Sequence, residues 1–505
     1  MDTFVYALQE YFTLTNILFA FLGVTVGIMV GAIPGLTGAM AVAVLTSFTF
    51  GMDMGGALAM LLGVYMGAVY GGSISAILVN IPGTSAAVMT GLDGHPMAMR
   101  GEGGKAIGIA TVSSFIGGII SCLFLVVGCT AIAAVAMKFS YPELFVLAFF
   151  GLCVIANASA KSLLHGLVAS MLGFLFSLVG IDLLTGAARF TFGIPELYNG
   201  IDQVPALIGL FGFSELIDQV VNVREKRPKP KQFTKVFPGW KLIWKLKWVI
   251  GKAALIGTGV GALPGAGGPI AAFIAYNEAK NSSKHPEKFG TGIPEGIAAC
   301  ETANNATTGG ALIPMLSLAV PGDSVTAILM SAFMIHGVQV GPTIFTESLD
   351  VVYCVYIFAI LANFIFLFEG LFAAKYFAKI LNLESKTLLP LIILVCMIGS
   401  FASANTVFNI FVMVFFGVLG YFLKKVDIPP ASMILGLVLG ELAETNFRSA
   451  FSMSRGTFGV FFRPLCLIFW ALLVIMVIYP RIRDLIKKRR GEFKEPDPDE
   501  PSTLM

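Results

Sequence analysis

The chain has 505 residues, of which 56% are hydrophobic and 12% charged, and its formal net charge at pH 7 is +3. A soluble globular protein carries about 25% charged residues, so this composition excludes an ordinary soluble domain. Apolar stretches recur along almost the whole chain, and about 20 such residues are needed to cross a bilayer. The sequence therefore predicts an all-α polytopic membrane protein with about 12 transmembrane or re-entrant helices.

The first half opens with an apolar stretch, Ile17 to Val30, that continues past Pro34-Gly35 to Phe48. A second Pro-Gly pair, Pro82-Gly83, also lies in apolar sequence, and a long apolar run extends from Ala106 to Met137. Pro cannot continue a helix interior and Gly admits positive φ. Both pairs therefore predict breaks within membrane helices.

A basic linker follows, from Arg224 to Lys252, and a second basic segment begins at Arg481. Loops rich in Lys and Arg stay on the cytoplasmic side of a membrane. The sequence therefore predicts a cytoplasmic linker over residues 222–250 and a cytoplasmic tail over 481–505, partly disordered because its end is acidic and Pro-rich. The N-terminus carries no basic residue, and we expect it outside, with an odd number of crossings before the linker.

The second half repeats the first. GIMVGAIPGLTG at 27–38 matches GTGVGALPGAGG at 257–268 in seven of twelve positions. Further along, Gly71-Gly72 matches Gly309-Gly310, and Pro82-Gly83 matches Pro321-Gly322. The two membrane repeats, 1–221 and 251–480, would lie in opposite orientations because the first has an odd number of crossings. We therefore expect inverted repeats with Pro-Gly-broken helices, a plan used by many secondary transporters.

The Pro-Gly breaks are the predicted substrate site. Broken helices in a membrane persist where they are buried in protein or line a wet cavity, and the positive ends of half-helices can then face an anion. The alternative is ordinary kinks with Gly-mediated packing. The predicted substrate-binding residues are Pro34, Gly35, Thr37, Gly38, Ser73, Asn80, Pro82, Gly83, Thr84, Ser85, Pro264, Gly265, Gly267, Gly268, Pro321, Gly322 and Ser324.

The run CETANNATTGG, from Cys300 to Gly310, is unusually polar for its apolar surroundings. Ionisable residues close to apolar membrane sequence are functional candidates. We expect a coupling cation, sodium or a proton, at Glu301, Asn304, Asn305 and Asp323. The alternative for these residues is hydrogen bonding between helices or capping.

Three basic residues and one polar segment are further candidates. Lys161, His165 and His336 could pair with a carboxylate, or simply lie at a membrane edge. The segment Asp93 to Pro96, followed by Arg100 and Lys105, is interpreted as a polar loop: a gate, a partner contact or a plain solvated loop.

The sequence contains no enzyme signature. It has no HExxH, no GxxxxGK[ST] and no Cys/His cluster with metal spacing. We expect no enzyme activity, no ATP drive within this chain, no cofactor and no transition metal. The expected partners include membrane lipid and no nucleic acid. The seven cysteines have no CxxC spacing and are interpreted as small buried hydrophobes.

Several of these motifs together resemble the large membrane subunit of the tripartite tricarboxylate transporters, over about Gly27 to Pro464. The segments that carry the resemblance are GAIPGLTG, YMGAVYGGSISAILVNIPGT, DGHPMA, GALPGAGG, AYNEAK, PEKFGTGIPEGIAACETANNA, PGDSVTAILMSAFMIHGVQVGP and ELAETNFRSAFSMSRG. The last of these carries the family's pattern through Glu444, Arg448, Ser452 and Gly456. The family's Pro-Gly elements and Asn pair fall on Pro34, Gly35, Pro82, Gly83, Pro264, Gly265, Asn304, Asn305, Pro321 and Gly322. One departure is Leu36-Thr37, where much of the family has small residues.

The resemblance implies a bacterial inner-membrane permease that works with a small membrane subunit and a periplasmic solute-binding protein. It further implies cation-coupled uptake of a carboxylate such as citrate. We expect the site near the midplane between the repeats, with an elevator-like motion as a hypothesis. The alternatives are a stand-alone carboxylate carrier, or an anion channel, neither of which requires a binding protein.

Overall fold

The computed structural model describes residues 2–159, 163–182, 185–221, 236–381 and 385–474. Lys161 and the predicted tail over 481–505 lie outside them, as do residues 222–235 of the predicted linker. The chain divides into two compact units, Met1–Met137 with Val179–Val426, and Lys138–Leu178 with Asp427–Met505. This division groups residues that contact one another and does not test the predicted repeats. Their boundaries, 1–221 and 251–480, stay a prediction.

The described residues are almost entirely helical, which confirms the all-α class. The helices are α1 (Asp2–Tyr11), α2 (Leu14–Ala32), α3 (Gly38–Phe48), α4 (Met54–Val79), α5 (Ala87–Met97), α6 (Gly103–Ala136), α7 (Tyr141–Ser159), α8 (Leu163–Ser177), α9 (Gln203–Leu207), α10 (Ser214–Val221), α11 (Trp240–Gly261), α12 (Gly267–Ser282), α13 (Pro294–Leu318), α14 (Ser324–Ile335), α15 (Ile344–Glu347), α16 (Leu349–Phe372), α17 (Ala374–Ile380), α18 (Ser385–Ala402), α19 (Val407–Lys425), α20 (Pro430–Met453) and α21 (Pro464–Val474). Two short strands, β1 (Gly180–Ile181) and β2 (Ala188–Arg189), pair antiparallel.

Six helical segments are long and apolar enough to cross a membrane: Leu14–Ala32, Met54–Val79, Ala87–Val135, Gln203–Val221, Leu349–Phe372 and Val407–Lys425. Shorter apolar helices of 10–17 residues accompany them. A multi-pass membrane protein follows from these lengths and from the composition. The total of about 12 spanning or re-entrant helices stays a prediction.

The Pro-Gly pairs fall between helices, as the sequence predicts. Asn80 follows α4 and Ala319 follows α13, and each adopts a left-handed conformation with φ 55°. A left-handed residue ends a helix and turns the chain away. Pro82 and Pro321, each two residues later, then cannot resume the helix.

The order of elements in the larger unit is the same on both sides of the linker. In the first half α2, Pro34-Gly35 and α3 precede α4, Pro82-Gly83 and α5. In the second half α11, Pro264-Gly265 and α12 precede α13, Pro321-Gly322 and α14. The long helices α6 and α16 come last in each series.

Glycines allow the long helices of the larger unit to pack at backbone distance. Gly63 and Gly67 of α4 face main-chain atoms of Ala20 and Val24 on α2, where an added Cβ would lie within 3 Å. On the other side of the linker, Gly257 of α11 faces the backbone of Ala303 on α13 in the same way. Membrane helices associate through such small residues because van der Waals packing, rather than a hydrophobic drive, holds them together.

The last long helix of each half, α6 or α16, packs against a helix of the other half. Helix α6 packs against α13, and α16 packs against α4. Gly117 of α6 faces the backbone of Thr302 on α13, and Gly118 faces the side chain of Asn363 on α16. The last long helix of each half therefore packs against the central long helix of the other half.

The smaller unit is built from α7, α8, α20 and α21. Helix α20 packs on α7 and α8, and Gly436 faces the backbone of Ser170. Its aromatic core surrounds buried Phe461 and Cys466. The Arg448 guanidinium lies 3.2 Å from the Glu444 carboxylate one turn away on α20.

Candidate functional site

The first Pro-Gly loop of each half requires positive φ at its glycine. Gly35 has φ 90° and Gly265 has φ 78°, a conformation that costs residues with a Cβ roughly 1 kcal/mol or more. The Gly265 amide donates to the carbonyl oxygen of Gly322, 2.7 Å away. A backbone hydrogen bond therefore connects the two Pro-Gly loops of the second half.

The second Pro-Gly loop of each half packs against the end of the helix before the first loop. A Cβ added at Gly83 would collide with the carbonyl oxygen of Gly31, and one at Gly322 would lie 2.8 Å from that of Gly261. Gly31 and Gly261 occupy equivalent places at the ends of α2 and α11. The same close approach is thus repeated in both halves.

Loops from different halves meet at Gly268. A Cβ there would lie 3.3 Å from the Cβ of Ala86, which precedes α5, and would collide with Oδ1 of Asn304 on α13. The other amide atom of Asn304, Nδ2, donates to the carbonyl oxygen of Val69 on α4 at 3.3 Å. The starts of α5 and α12 are therefore neighbours, with an amide side chain beside them.

The half-helices differ in how their N-termini are capped. Thr37 caps α3 by accepting from the Met40 amide at 3.1 Å, and Asp323 caps α14 through a capping box with Thr326. At the starts of α5 and α12, after Ala86 and Ala266, no side chain of the described residues caps the helix. These two N-termini, the pair that meets at Gly268, keep their positive end free of a capping group.

The predicted substrate-binding residues differ in accessibility. Thr37, Asn80 and Ser85 are exposed, whereas Pro34, Ser73, Gly83, Pro321 and Gly322 are buried. The Ser73 hydroxyl donates within its own helix to the carbonyl oxygen of Tyr70 at 2.8 Å. The half-buried members are Gly35, Gly38, Pro82, Thr84, Pro264, Gly265, Gly267, Gly268 and Ser324. The hydroxyl of Thr84 lies beside Gly72, and no described residue forms a hydrogen bond with it.

The four predicted cation-binding residues lie in three separate environments rather than in one site. Glu301 and Asn305 share one buried network, Asn304 faces Val69 and Gly268, and Asp323 caps α14. The second carboxylate oxygen of Asp323 accepts from the Tyr65 hydroxyl at 2.6 Å.

The buried network joins α13 to α5 and α6. Glu301 is fully buried and accepts from the hydroxyls of Thr90, at 2.5 Å, and Ser114, at 3.0 Å. Asn305 donates through Nδ2 to Ser114 at 2.7 Å, while its buried Oδ1 has no hydrogen-bond partner among the described residues. Within the same part of the chain, the buried hydroxyl of Thr302 has no partner either. Carboxylate, amide and hydroxyl oxygens are the ligand types that hard cations take.

Sequence reasoning missed both Thr90 and Ser114. Thr90 precedes the more polar Asp93 on α5, and Ser114 is one of several hydroxyl residues on the long apolar helix α6, so neither stands out in the sequence. Their role depends on α5 and α6 packing against the polar run of α13, which is a long-range contact.

The interpretation of Asp93 to Pro96 as a polar loop was wrong. These residues belong to α5, and the Asp93 carboxylate is fully buried. Its Oδ1 accepts from the amides of Gly290, Gly292 and Ile293 at 2.8 to 2.9 Å, and its Oδ2 accepts from the Tyr276 hydroxyl at 2.9 Å. Asp93 therefore ties α5 to the segment that enters α13.

Arg100 reinforces the same connection. Its guanidinium donates to the carbonyl oxygens of Thr291 and Gly292, at 2.5 and 2.8 Å. Of the other basic candidates, His336 ends α14 with Nε2 3.4 Å from the Thr49 hydroxyl, and His165 lies on α8 in the smaller unit. No cluster of three or more His, Cys, Asp or Glu suited to a metal ion occurs in the part of the chain that the structure describes.

These features define the class: an all-α, multi-pass membrane protein in which broken helices from the two halves meet around buried polar side chains. Residues 17–435 match the Tripartite tricarboxylate transporter TctA family, and the chain belongs to this family. It is therefore related to the subunits of tripartite tricarboxylate transporters, as its motifs predicted.

Two proteins from Agrobacterium vitis are similar to the chain. The "Uncharacterized 52.8 kDa protein in TAR-I ttuC' 3'region" is 33% identical over 486 residues, which cover 96% of this chain and 97% of that protein. The "Uncharacterized protein in TAR-II ttuC' 3'region" is 33% identical over 242 residues, which cover 48% of this chain and 100% of that protein. No solved structure matches the chain significantly.

Proposed function

We propose that this chain is the large permease subunit of a binding-protein-dependent transporter that takes up carboxylate anions, such as citrate, by coupling to a cation gradient. One observation carries the proposal: the N-termini of α5 and α12 meet at Gly268 without a capping side chain, beside the amide of Asn304. Membership of a tripartite tricarboxylate transporter family supports the carboxylate class.

The two helix starts suit an anion for an electrostatic reason. The N-terminus of a helix carries about half a positive charge, and an anion placed there gains roughly 0.3 to 1 kcal/mol at an exposed site and up to about 2 in a partly buried one. A di- or tricarboxylate can use two such ends at once. The half-buried amides of Gly267 and Gly268, with the exposed hydroxyl of Ser85, supply donors of matching chemistry.

The inverted-repeat plan is part of the proposal. The repeated order of helices and Pro-Gly breaks supports it, as do the matching left-handed residues Asn80 and Ala319 and the packing of α6 and α16 against the other half. In such transporters the two repeats move against one another around a central site. Thr49 and His336, whose side chains meet across the halves, offer a test of that motion. Crosslinking Cys residues placed at these two positions should stop uptake, and unchanged uptake would count against the motion.

The coupling cation is proposed to bind at Glu301, Asn305 and Ser114, with Thr90 as a further ligand. Two buried oxygens, Oδ1 of Asn305 and the hydroxyl of Thr302, lack hydrogen-bond partners in the part of the chain that the structure describes, which supports a cation that completes the network. A carboxylate buried in a membrane is costly unless it is paired or neutralised. Either sodium or a proton bound at Glu301 would meet that requirement.

The proposed partners are a small membrane subunit and a periplasmic solute-binding protein, which the tripartite family implies. The binding protein would deliver the anion from the periplasm to the inner-membrane chain. The basic linker and the C-terminal tail are proposed to face the cytoplasm, since Lys-rich and Arg-rich loops stay on that side.

Uptake of radiolabelled citrate into proteoliposomes tests the function directly. The vesicles would contain this chain and its small partner, with and without the cognate binding protein and an inward sodium or proton gradient. We expect uptake only when the binding protein and one gradient are both present. Gradient-driven uptake without the binding protein would instead identify a stand-alone carrier, and flux without saturation or gradient dependence would identify a channel. If citrate fails under every condition, a panel of other carboxylates decides the substrate.

A further inference from the structure

The first three turns of α11 expose three tryptophans on one face. Trp240, Trp244 and Trp248 are spaced by four residues and are 73%, 71% and 75% exposed. Residues four apart in a helix lie above one another on the same side. The opposite side of these turns is buried and consists of Ile243, Leu246 and Ile250.

Lysines accompany the tryptophans. Lys241, Lys245 and Lys247 are exposed, and Nζ of Lys247 lies 4.2 Å from the ring centroid of Trp244 and 5.7 Å from that of Trp248. We call the surface made by these three lysines and three tryptophans the Trp-Lys face.

The residues around the Trp-Lys face in the sequence carry a strong excess of positive charge. From Trp240 to Lys252 the sequence holds four lysines and no acidic residue. Lys252 is partly neutralised, because its ammonium lies 3.0 Å from the Glu278 carboxylate. The sequence from Arg224 to Lys235 adds six basic residues against one acidic residue.

We propose that the Trp-Lys face binds anionic phospholipid headgroups at the membrane surface. Tryptophan is enriched at the boundary between headgroups and hydrocarbon, where its ring is apolar and its N–H meets water. The rise from Trp240 to Trp248 is about 12 Å along the axis, enough to cross a headgroup layer of about 5 to 8 Å. The lysines supply ammonium groups for lipid phosphates at the same depth.

Charge favours lipid over a protein partner as the occupant. Protein interfaces are depleted of Lys, whereas each tryptophan here has a lysine next to it in the sequence. At its other end α11 leads to Pro264-Gly265, so lipid bound at the start of this helix would fix the depth at which it enters the membrane. The inference concerns binding alone and does not depend on the transported substrate.

Tryptophan fluorescence tests it, because three of the four tryptophans of the chain belong to the Trp-Lys face. The full chain would be reconstituted into phosphatidylcholine vesicles containing increasing fractions of dibrominated phosphatidylglycerol, or of dibrominated phosphatidylcholine as the neutral comparison. Bromine quenches tryptophan only at close range. We expect quenching at a several-fold lower fraction of the anionic lipid, with the difference reduced by 0.5 M salt. Equal quenching by the two lipids would overturn the proposal.

Variants locate the binding on the Trp-Lys face. A basic residue close to an anionic surface contributes about fivefold in affinity. The triple substitution Lys241→Gln, Lys245→Gln and Lys247→Gln should therefore raise the fraction of anionic lipid needed for quenching by at least tenfold. The matched control removes three exposed lysines elsewhere, through Lys280→Gln, Lys284→Gln and Lys288→Gln, and should behave as wild type. If the control loses the preference equally, or if the small membrane subunit abolishes it by covering the face, the proposal fails. Trp470→Phe removes the remaining tryptophan and should leave the lipid preference intact.

Discussion

Asn304, in the middle of α13, donates through Nδ2 to the carbonyl oxygen of Val69 on α4, 3.3 Å away. Its Oδ1 points to Gly268 in the first turn of α12. A single amide thus connects the two long central helices with one of the two uncapped helix starts. A substrate anion bound there would lie within reach of this side chain.

We expect Asn304→Asp to impair carboxylate uptake far more than Asn304→Ala. The aspartate preserves the shape but adds a negative charge near the anion. Two like charges about 6 Å apart repel by roughly 2 to 3 kcal/mol at an effective dielectric constant of 20, which is on the order of 100-fold in affinity. The KM for citrate in proteoliposomes measures the effect. Asn277→Asp is the matched control, since Asn277 donates within α12, to the Phe273 carbonyl oxygen at 3.1 Å. Equal losses in both variants would argue against an anion at Asn304.

Gly268→Ala should close the space between the two helix starts. The added methyl would meet the Asn304 amide and lie 3.3 Å from the Cβ of Ala86, so one of these groups must move. We expect at least a tenfold loss of uptake with only a modest change in thermal stability. Gly259→Ala on α11 is the control, because a Cβ there meets nothing within 4 Å. That variant should transport normally, and normal transport by Gly268→Ala as well would remove this gap from the substrate site.

Glu301→Gln should uncouple uptake from the cation gradient. The neutral amide keeps the size of the carboxyl group but removes the charge that a cation would neutralise, and one of its ends can no longer accept a hydrogen bond. If sodium is the coupling ion, we expect the sodium concentration for half-maximal uptake to rise by tenfold or more. If a proton is, we expect uptake to become independent of the proton gradient, because Gln resembles the protonated carboxyl group and cannot titrate. Binding of the substrate anion should change less, and Ser114→Ala should alter the cation dependence by a smaller factor.

The control for Glu301 removes a carboxylate that is not in the network. Glu278→Gln on α12 loses only a partly exposed ion pair with Lys252, and such pairs contribute about 0 to 1 kcal/mol. Its cation dependence should match wild type. An unchanged cation dependence in Glu301→Gln would move the coupling site elsewhere.

The sequence was sufficient to locate the breaks in the helices. Pro34, Pro82, Pro264 and Pro321 each fall between helices because proline acts on its own backbone, whatever the surroundings. The all-α membrane class was equally predictable, because it depends on apolar length and charge content. Thr37 illustrates a missed local signal: a Thr just before a helix is a usual N-cap, and its capping of α3 could have been anticipated.

The contacts of the polar side chains depend on long-range packing of the helices, which the sequence does not predict. The polar run of α13 was recognised, but not the division of its members among partners: Asn304 faces α4, whereas Asn305 and Glu301 face α6 and α5. Residues next to each other in a helix point about 100° apart, so their partners depend on how the helices are arranged. Asp93 was misread for the same reason. Its Asp-Gly-His-Pro sequence resembles a turn, while its three amide donors lie about 200 residues away in the chain.

Asp93→Ala should destabilise the larger unit strongly. The substitution leaves the amides of Gly290, Gly292 and Ile293 without their acceptor, and an unsatisfied buried donor costs about 1 to 3 kcal/mol. We expect a large fall in the thermal midpoint, or failure to recover folded protein, by size-exclusion chromatography after heating in detergent. Asp93→Asn should be milder, because one oxygen remains to accept from the three amides and the new NH₂ can donate to the Tyr276 oxygen. Glu287→Ala, an exposed carboxylate in the same segment, should leave the midpoint unchanged. If Asp93→Ala were as stable as Glu287→Ala, the three amides would have other acceptors and Asp93 would not be the link between α5 and α13.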